Sequence, residues 1–247
     1  PVIVIPGGGG GGGSVTAASI ASALADPGDA ADVNAALAGR VIDALDGTGW
    51  TTATVGGSAV ASWGTSPARL LLTNPGGTNS EARAVHPTFA PDGDSVDVLA
   101  RFDLASTSVD GWVALRLGVN ASNILSFDVK GNGALVCYLT EAGSMSSVGS
   151  ASAGGALAPS TAQLGGGQFW ARISRRPGSV ALSWGVGSAG ALPTTWKTWL
   201  NLTSTSALNC TAGTRVHINT YTAASIGGGF DAEVLDIRAV GRGLGPL

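Results

Sequence analysis

From Trp50 onward the chain alternates apolar and polar residues in short runs, each ended within about ten residues by Gly, Pro, Asn, Asp or Ser. A period of two with such frequent punctuation fits antiparallel sheet and little else. Residues 95–103 show the pattern: Val96, Val98, Ala100 and Phe102 point one way, and Asp97, Arg101 and Asp103 the other. That is a strand with one face in a core and one in water. The same reading predicts strands over 59–63, 69–73, 81–86, 95–103, 112–119, 124–130, 134–140, 168–175, 179–184, 195–202, 214–221 and 230–240. So many short strands imply an all-β antiparallel sandwich. Lys130-Gly131-Asn132-Gly133 and Arg176-Pro177-Gly178 read as hairpin turns, with glycine where positive φ is needed.

Residues 1–49 have a different texture. Val2, Ile3, Val4 and Ile5 form a β-prone tetrapeptide, followed by Pro6 and seven glycines. Such a run cannot fold alone, and it is suited to adding a strand to another subunit's sheet, with the glycines as tether. After a break at Asp26-Pro27-Gly28-Asp29, the residues Val33, Ala36, Leu37, Val41, Ile42 and Leu45 keep helical spacing, with Asp32 as cap and Asp46-Gly47 as stop. The expectation is therefore an arm at 1–13, a short helical linker and oligomerisation segment at 14–49, and the sandwich at 50–247. This linker is the one helical stretch expected. Its stripe of Val33, Leu37 and Val41 is too small to be stable unsupported and would pack on the sandwich or on copies of itself.

Charge and residue types exclude several function classes. A net charge of −3 with interspersed signs offers no basic stripe for nucleic acid. Cys137 and Cys210 are too few for a disulfide framework and are read as buried thiols. The five residues before the glycines are too short for a signal-peptide core or membrane span. The expectation is synthesis in a host cytoplasm without a signal peptide and no membrane insertion. The glycine run lacks the Lys-Ser/Thr of a phosphate loop, and His86 and His217 have no nucleophile motif or zinc-type cysteine spacing around them. No cofactor is expected.

Phe169-Trp170-Ala171-Arg172-Ile173, Gly178-Ser179-Val180, Leu182-Ser183-Trp184, Pro193 and Trp196 resemble the back half of a concanavalin-like jelly roll. Gly213-Thr214-Arg215-Val216-His217-Ile218 and Phe230-Asp231-Ala232-Glu233-Val234 look like the closing strands of laminin-G-like and related sugar-binding or glycanase sandwiches. This resemblance spans roughly residues 50–240 and is one of spacing, so it bears on fold more than on function. Ala25-Asp26-Pro27 and Val33-Asn34-Ala35-Ala36-Leu37 resemble a linker of minor tail proteins and tail fibres of tailed phages. It implies a virion tail location, other tail subunits and copies of the chain itself as partners, and a trimer by analogy with fibres.

Candidate sites follow from these readings. Asp231 and Glu233 would share a strand face as a glycanase carboxylate pair, with Asp236 one residue out of step. Asp92 and Asp94, with Asp97, could hold calcium at a loop, against a plain solvated turn. Trp112, Trp170 and Trp184 fit a core otherwise made of small residues. Trp196 and Trp199 would lie on opposite faces of one strand, leaving one outside to stack on a sugar ring. Tyr221 and Arg116 are the other glycan candidates, with Asn120 or Asn123 as hydrogen-bonding neighbours. The leading expectation is a non-enzymatic virion tail component that displays a sandwich to a host polysaccharide. The alternatives are a stand-alone carbohydrate-binding module and a glycoside hydrolase.

Overall fold

The computed structural model describes residues 40–42, 45–56, 58–75, 79–86, 95–105, 108, 110–120, 122–176, 178–188, 191–203, 215–223 and 229–242. In chain order the strands are β1 (Arg40–Ile42), β2 (Thr51–Val55), β3 (Val60–Thr65), β4 (Ala68–Asn74), β5 (Ser80–Val85), β6 (Ser95–Leu104), β7 (Gly111–Asn120) and β8 (Asn123–Lys130). They continue as β9 (Leu135–Glu141), β10 (Ser144–Ala151), β11 (Phe169–Arg176), β12 (Ser179–Val186), β13 (Lys197–Thr203), β14 (Arg215–Thr222) and β15 (Phe230–Arg242). All twelve expected strands are present, with ends shifted by no more than two residues.

The strands form two antiparallel sheets. One runs β13-β12-β11-β6-β15-β4-β3, with β1 added against β15; the other runs β10-β9-β8-β7-β14-β5-β2. Alternate residues of each strand meet between the sheets: Phe102, Phe169, Ile173, Leu70, Leu72 and Phe230 from the first, Leu115, Leu125, Phe127 and Leu135 from the second, all fully buried in one core. This is the antiparallel β-sandwich that the alternation from Trp50 implies, and its two layers agree with the concanavalin-like jelly roll that the resemblance implies. Cys137 is a buried free thiol in that core, and Cys210 lies outside the described residues.

Three strands and one helix escape a reading by alternation. β2 is exposed along its whole length and β10 over most of it, and both are outermost strands of the seven-stranded sheet. Where both faces are wet, as along all of β2 and the first half of β10, a strand carries no period-two signal. β1 corrects the helical expectation for the end of the linker: Arg40, Val41 and Ile42 pair with Val240, Ala239 and Arg238. The reason lies in β15, whose thirteen residues outrun β4, which pairs only with 230–234. The remaining edge of β15 would otherwise leave backbone groups unpaired, and β1 supplies them. Leu45, also expected in the helix, is 2% exposed and belongs to the sandwich core. The single helical turn α1 (Thr161–Leu164) lies elsewhere, opened by Gln163 Oε1 accepting the Ser160 backbone N–H at 2.8 Å. Val2, Ile3, Val4, Ile5, Val33 and Leu37 lie outside the described residues, as do Asp92 and Asp94.

The turn glycines follow expectation. Gly133 has φ +91° and its N–H donates to Lys130 O at 2.9 Å; Gly178 has φ +72°.

Candidate functional site

The outer face of the seven-stranded sheet carries a groove of ≈ 480 Å³. Strand register lays out this face in rows. Glu81, Tyr221, Trp112 and Lys130 stand side by side across β5, β14, β7 and β8. The next row of that face is Arg83, Asn219, Ala114, Asp128 and Val136; the third is Val85, His217, Arg116, Ser126 and Tyr138. Because neighbours in register lie about 5 Å apart, residues distant in sequence form one continuous surface.

Trp112 and Tyr221 are half-buried, with ring centroids 4.7 Å apart and planes tilted by 41°. Lys130 Nζ sits 5.5 Å from the Trp112 ring centroid, and Tyr221 donates its hydroxyl hydrogen to Asn79 Oδ1. At the far wall Met145 is 67% exposed. The aromatic pair at one end of the groove and the thioether at the other are apolar surface left open to solvent.

Polar groups surround the platform. Arg116 Nε donates to Ser126 Oγ at 2.9 Å, and the Ser126 hydroxyl donates to Asp128 Oδ1. Arg116 also lies 3.6 Å from Glu81 Oε1, which accepts Asn219 Nδ2 at 3.1 Å. Asp128 is 2% exposed, and this burial raises its carboxyl pKa against the opposing pull of Arg116, Ser126 and Lys130. The Trp112 indole favours the ionised form of Asp128 slightly, but its N–H makes no hydrogen bond of good geometry. Burial, and then the Asp128 charge, push the Tyr138 phenol up. Beside the groove, His217 is held down at about 4, first by burial and then by Arg116, Arg83 and Arg215.

The sequence candidates are redistributed by this geometry. Tyr221 and Arg116 meet in the groove. Trp199 does not: it is 7% exposed, with its ring 5.5 Å from Phe127 in the core, so the expectation of a sugar-stacking Trp199 is corrected. A bulge in β13, where Leu182 pairs with Leu200 and Ser183 with Thr198, turns it inward. Trp196 precedes that strand and is half-exposed on the outside of the opposite sheet, with the Arg172 guanidinium 5.3 Å from its ring centroid. It is therefore remote from Arg116. Trp112, read as core, is on the outer face, because Val113, Leu115 and Leu117 take the inner positions of β7. Trp184 is core as expected. Trp170 is buried but on the outer side of its sheet, with the guanidinium groups of Arg101 and Arg238 at 5.9 and 5.3 Å from its ring centroid.

The glycanase pair also changes. A bulge between Val234 and Asp236 brings Asp236 back into step with Asp231 and Glu233, all on the outside of the eight-stranded sheet. Each is engaged there: Glu233 with Arg69 at 3.4 Å, Asp236 with Arg238 at 2.6 Å, and Asp231 as acceptor of the Asn74 backbone N–H at 3.3 Å. Asp97 is likewise taken up by Arg172 and Arg176, at 3.0 and 2.9 Å. The carboxyls that do line a groove are Glu81 and Asp128, which sequence reasoning passed over. Their signal was available in the alternation Ser80-Glu81-Ala82-Arg83 and Ser126-Phe127-Asp128, which puts polar side chains on the outer face.

No protein-family model matches the chain, and neither does any curated protein. Among solved structures, it is similar to the Emp47p carbohydrate recognition domain (13% identity, TM-score 0.54, covering 82% of this chain and 95% of that one). It is also similar to the metal-free lectin I-B4 of Griffonia simplicifolia (11%, TM-score 0.54, 81% and 98%). A xylan β-1,4-xylosidase of Bacillus halodurans shares the fold with 12% identity and TM-score 0.54, over 81% of this chain and 38% of the enzyme. At these identities the likeness is one of fold: a sandwich of the lectin-like kind.

Proposed function

We propose that this chain binds carbohydrate in the groove on the outer face of its seven-stranded sheet. The observation that carries the reading is the Trp112–Tyr221 platform, open to solvent and bordered by Glu81, Arg116, Ser126 and Tyr138. A pyranose offers one apolar C–H face and a rim of hydroxyls, which is the complement of an aromatic floor with polar neighbours. The lectin and carbohydrate recognition domain among the similar structures lend support at the level of fold. The test is a glycan array probed with the whole chain, followed by titration of the best ligand into Trp112→Ala and Tyr221→Ala. The reading requires each variant to lose at least about tenfold in affinity while its melting temperature stays within a few degrees. Wild-type affinity in both would end it.

Hydrolysis is the second reading, favoured by Glu81 and Asp128 lining one groove. Binding is the better supported, because Glu81 is ion-paired and Asp128 lies beneath the surface. Release of reducing sugar from a polysaccharide panel, abolished by Glu81→Gln, would reverse that order. The finer reading, a virion tail component that docks through Val2–Ile5 and presents the sandwich to a host polysaccharide, is supported by the sequence of residues 1–45 alone. Immunogold labelling of phage particles with antibody to this chain tests it: gold at the tail tip supports it, and unlabelled particles reject it.

A further inference from the structure

We infer that the groove continues into an oxyanion subsite, so that the ligand is an acidic glycan with a carboxylate or sulfate group held by Arg83, Arg116 and Arg215. This inference rests on the carbohydrate reading above. Its ground is register. Arg83 stands on β5, Arg215 on β14 and Arg116 on β7, three adjacent strands, and all three point outward on the face that carries the groove. His217 sits among them, directly opposite Arg116 and one outward position from Arg215. Register sets the root of Arg116 about 8 Å from that of Arg215 and about 12 Å from that of Arg83, with Arg83 and Arg215 about 14 Å apart, so only their long side chains, reaching in over His217, bring the three guanidinium groups toward one ligand group.

Charge is unevenly balanced in this cluster. Arg116 faces Glu81 at 3.6 Å, whereas Arg83 meets no carboxylate among the described residues. In the middle, His217 Nε2 is buried and has no hydrogen-bond partner, and the histidine is held neutral to about 4 by burial and the surrounding guanidinium groups. Three guanidinium groups brought to one stretch of the sheet face by register, with a neutral histidine among them, favour an oxyanion there. Guanidinium forks match carboxylate and sulfate oxygens two at a time. Arg116 lines the groove as well as the cluster, so one sugar stacked on Trp112 and Tyr221 and a second bearing the anion would occupy contiguous positions. The chain as a whole is acidic, at −3, which favours a discrete subsite for a charged sugar over a general polyanion surface.

The test uses the full chain and four probes at low salt: a neutral oligosaccharide, its uronate counterpart, its sulfated counterpart, and a single-stranded oligonucleotide of equal charge. The expected result is about tenfold or greater preference for one acidic form over the neutral one, and the preferred form identifies the anion. Arg83→Gln with Arg215→Gln is expected to reduce that preference to near unity without weakening the neutral sugar. Should the double variant melt early, Arg83→Gln alone carries the same test, with a loss of at least threefold expected. Equal affinity for neutral and acidic sugars overturns the subsite and leaves the carbohydrate reading standing. An absence of binding to any saccharide overturns both. Oligonucleotide binding as tight as that of the acidic sugar overturns the glycan assignment of the cluster.

Discussion

Replacing Trp199 with alanine separates the tryptophans that hold the sandwich together from those that face a ligand. Trp199 comes from β13 of the eight-stranded sheet, yet its ring lies 5.5 Å from that of Phe127 on β8, so it bridges the two layers. It is 7% exposed, and its neighbours in the core are rigid strand residues that cannot move in to fill the space. Truncation of a buried aromatic side chain to alanine costs about 3–5 kcal/mol. A domain of this size loses roughly 2–4 °C of melting temperature per kcal/mol. The expected fall is thus about 6–20 °C, read by circular dichroism on heating. Measured well below that transition, glycan affinity should equal that of the wild type. An unchanged melting temperature combined with lost affinity would refute the reasoning, because it would make Trp199 a surface residue that touches sugar.

Other perturbations probe the turn, the buried carboxyl and the buried thiol. Gly133→Ala forces a side chain onto φ +91° and puts its Cβ 2.3 Å from Pro159 O, so it should cost at least about 1–3 kcal/mol in urea unfolding; a cost below half of that would contradict the turn. Burial raises the Asp128 pKa in the folded state, so its contribution to stability is complete below the ordinary carboxyl value of 3.8 and is lost as pH rises through the folded value. Asp128→Asn should therefore gain on the wild type between pH 4 and pH 7 when their urea midpoints are compared, and a constant difference would refute this. Burial, then Asp128, push the Cys137 thiol up to about 12. In a Cys210→Ser background, a thiol reagent at pH 8 should modify Cys137 only after denaturation, and rapid labelling of the native chain would contradict its burial.

How far the sequence could be read depended on whether a strand had one wet face and one dry. Strands such as β6 and β11, with Val98, Ala100 and Phe102 or Phe169, Ala171 and Ile173 turned inward, announce themselves by alternation. The edge strands β2 and β10 do not, because β2 is exposed throughout and β10 gives the core only Ala151, with Val148 packed against it. β1 read as helix because Val41, Ile42 and Leu45 satisfy a helical spacing, and the open stretch of β15 that makes it a strand lies nearly two hundred residues away. Side-chain direction at the site turned on the same long-range facts. The bulge in β13 buries Trp199, and the bulge in β15 returns Asp236 to step, and neither is visible in local pattern. Arg116 and Tyr221 were found as candidates, but their meeting with Trp112, Glu81 and Asp128 required the order β8-β7-β14-β5, which a list of strands does not provide.

The most direct measurement is a titration of ¹⁵N-labelled chain with the best array ligand, following the indole N–H resonances of the seven tryptophans. A ligand in the groove moves the Trp112 resonance most, and leaves those of Trp170, Trp184 and Trp199 in place. A dominant shift at Trp196, on the opposite sheet, with Trp112 unmoved, would contradict the account.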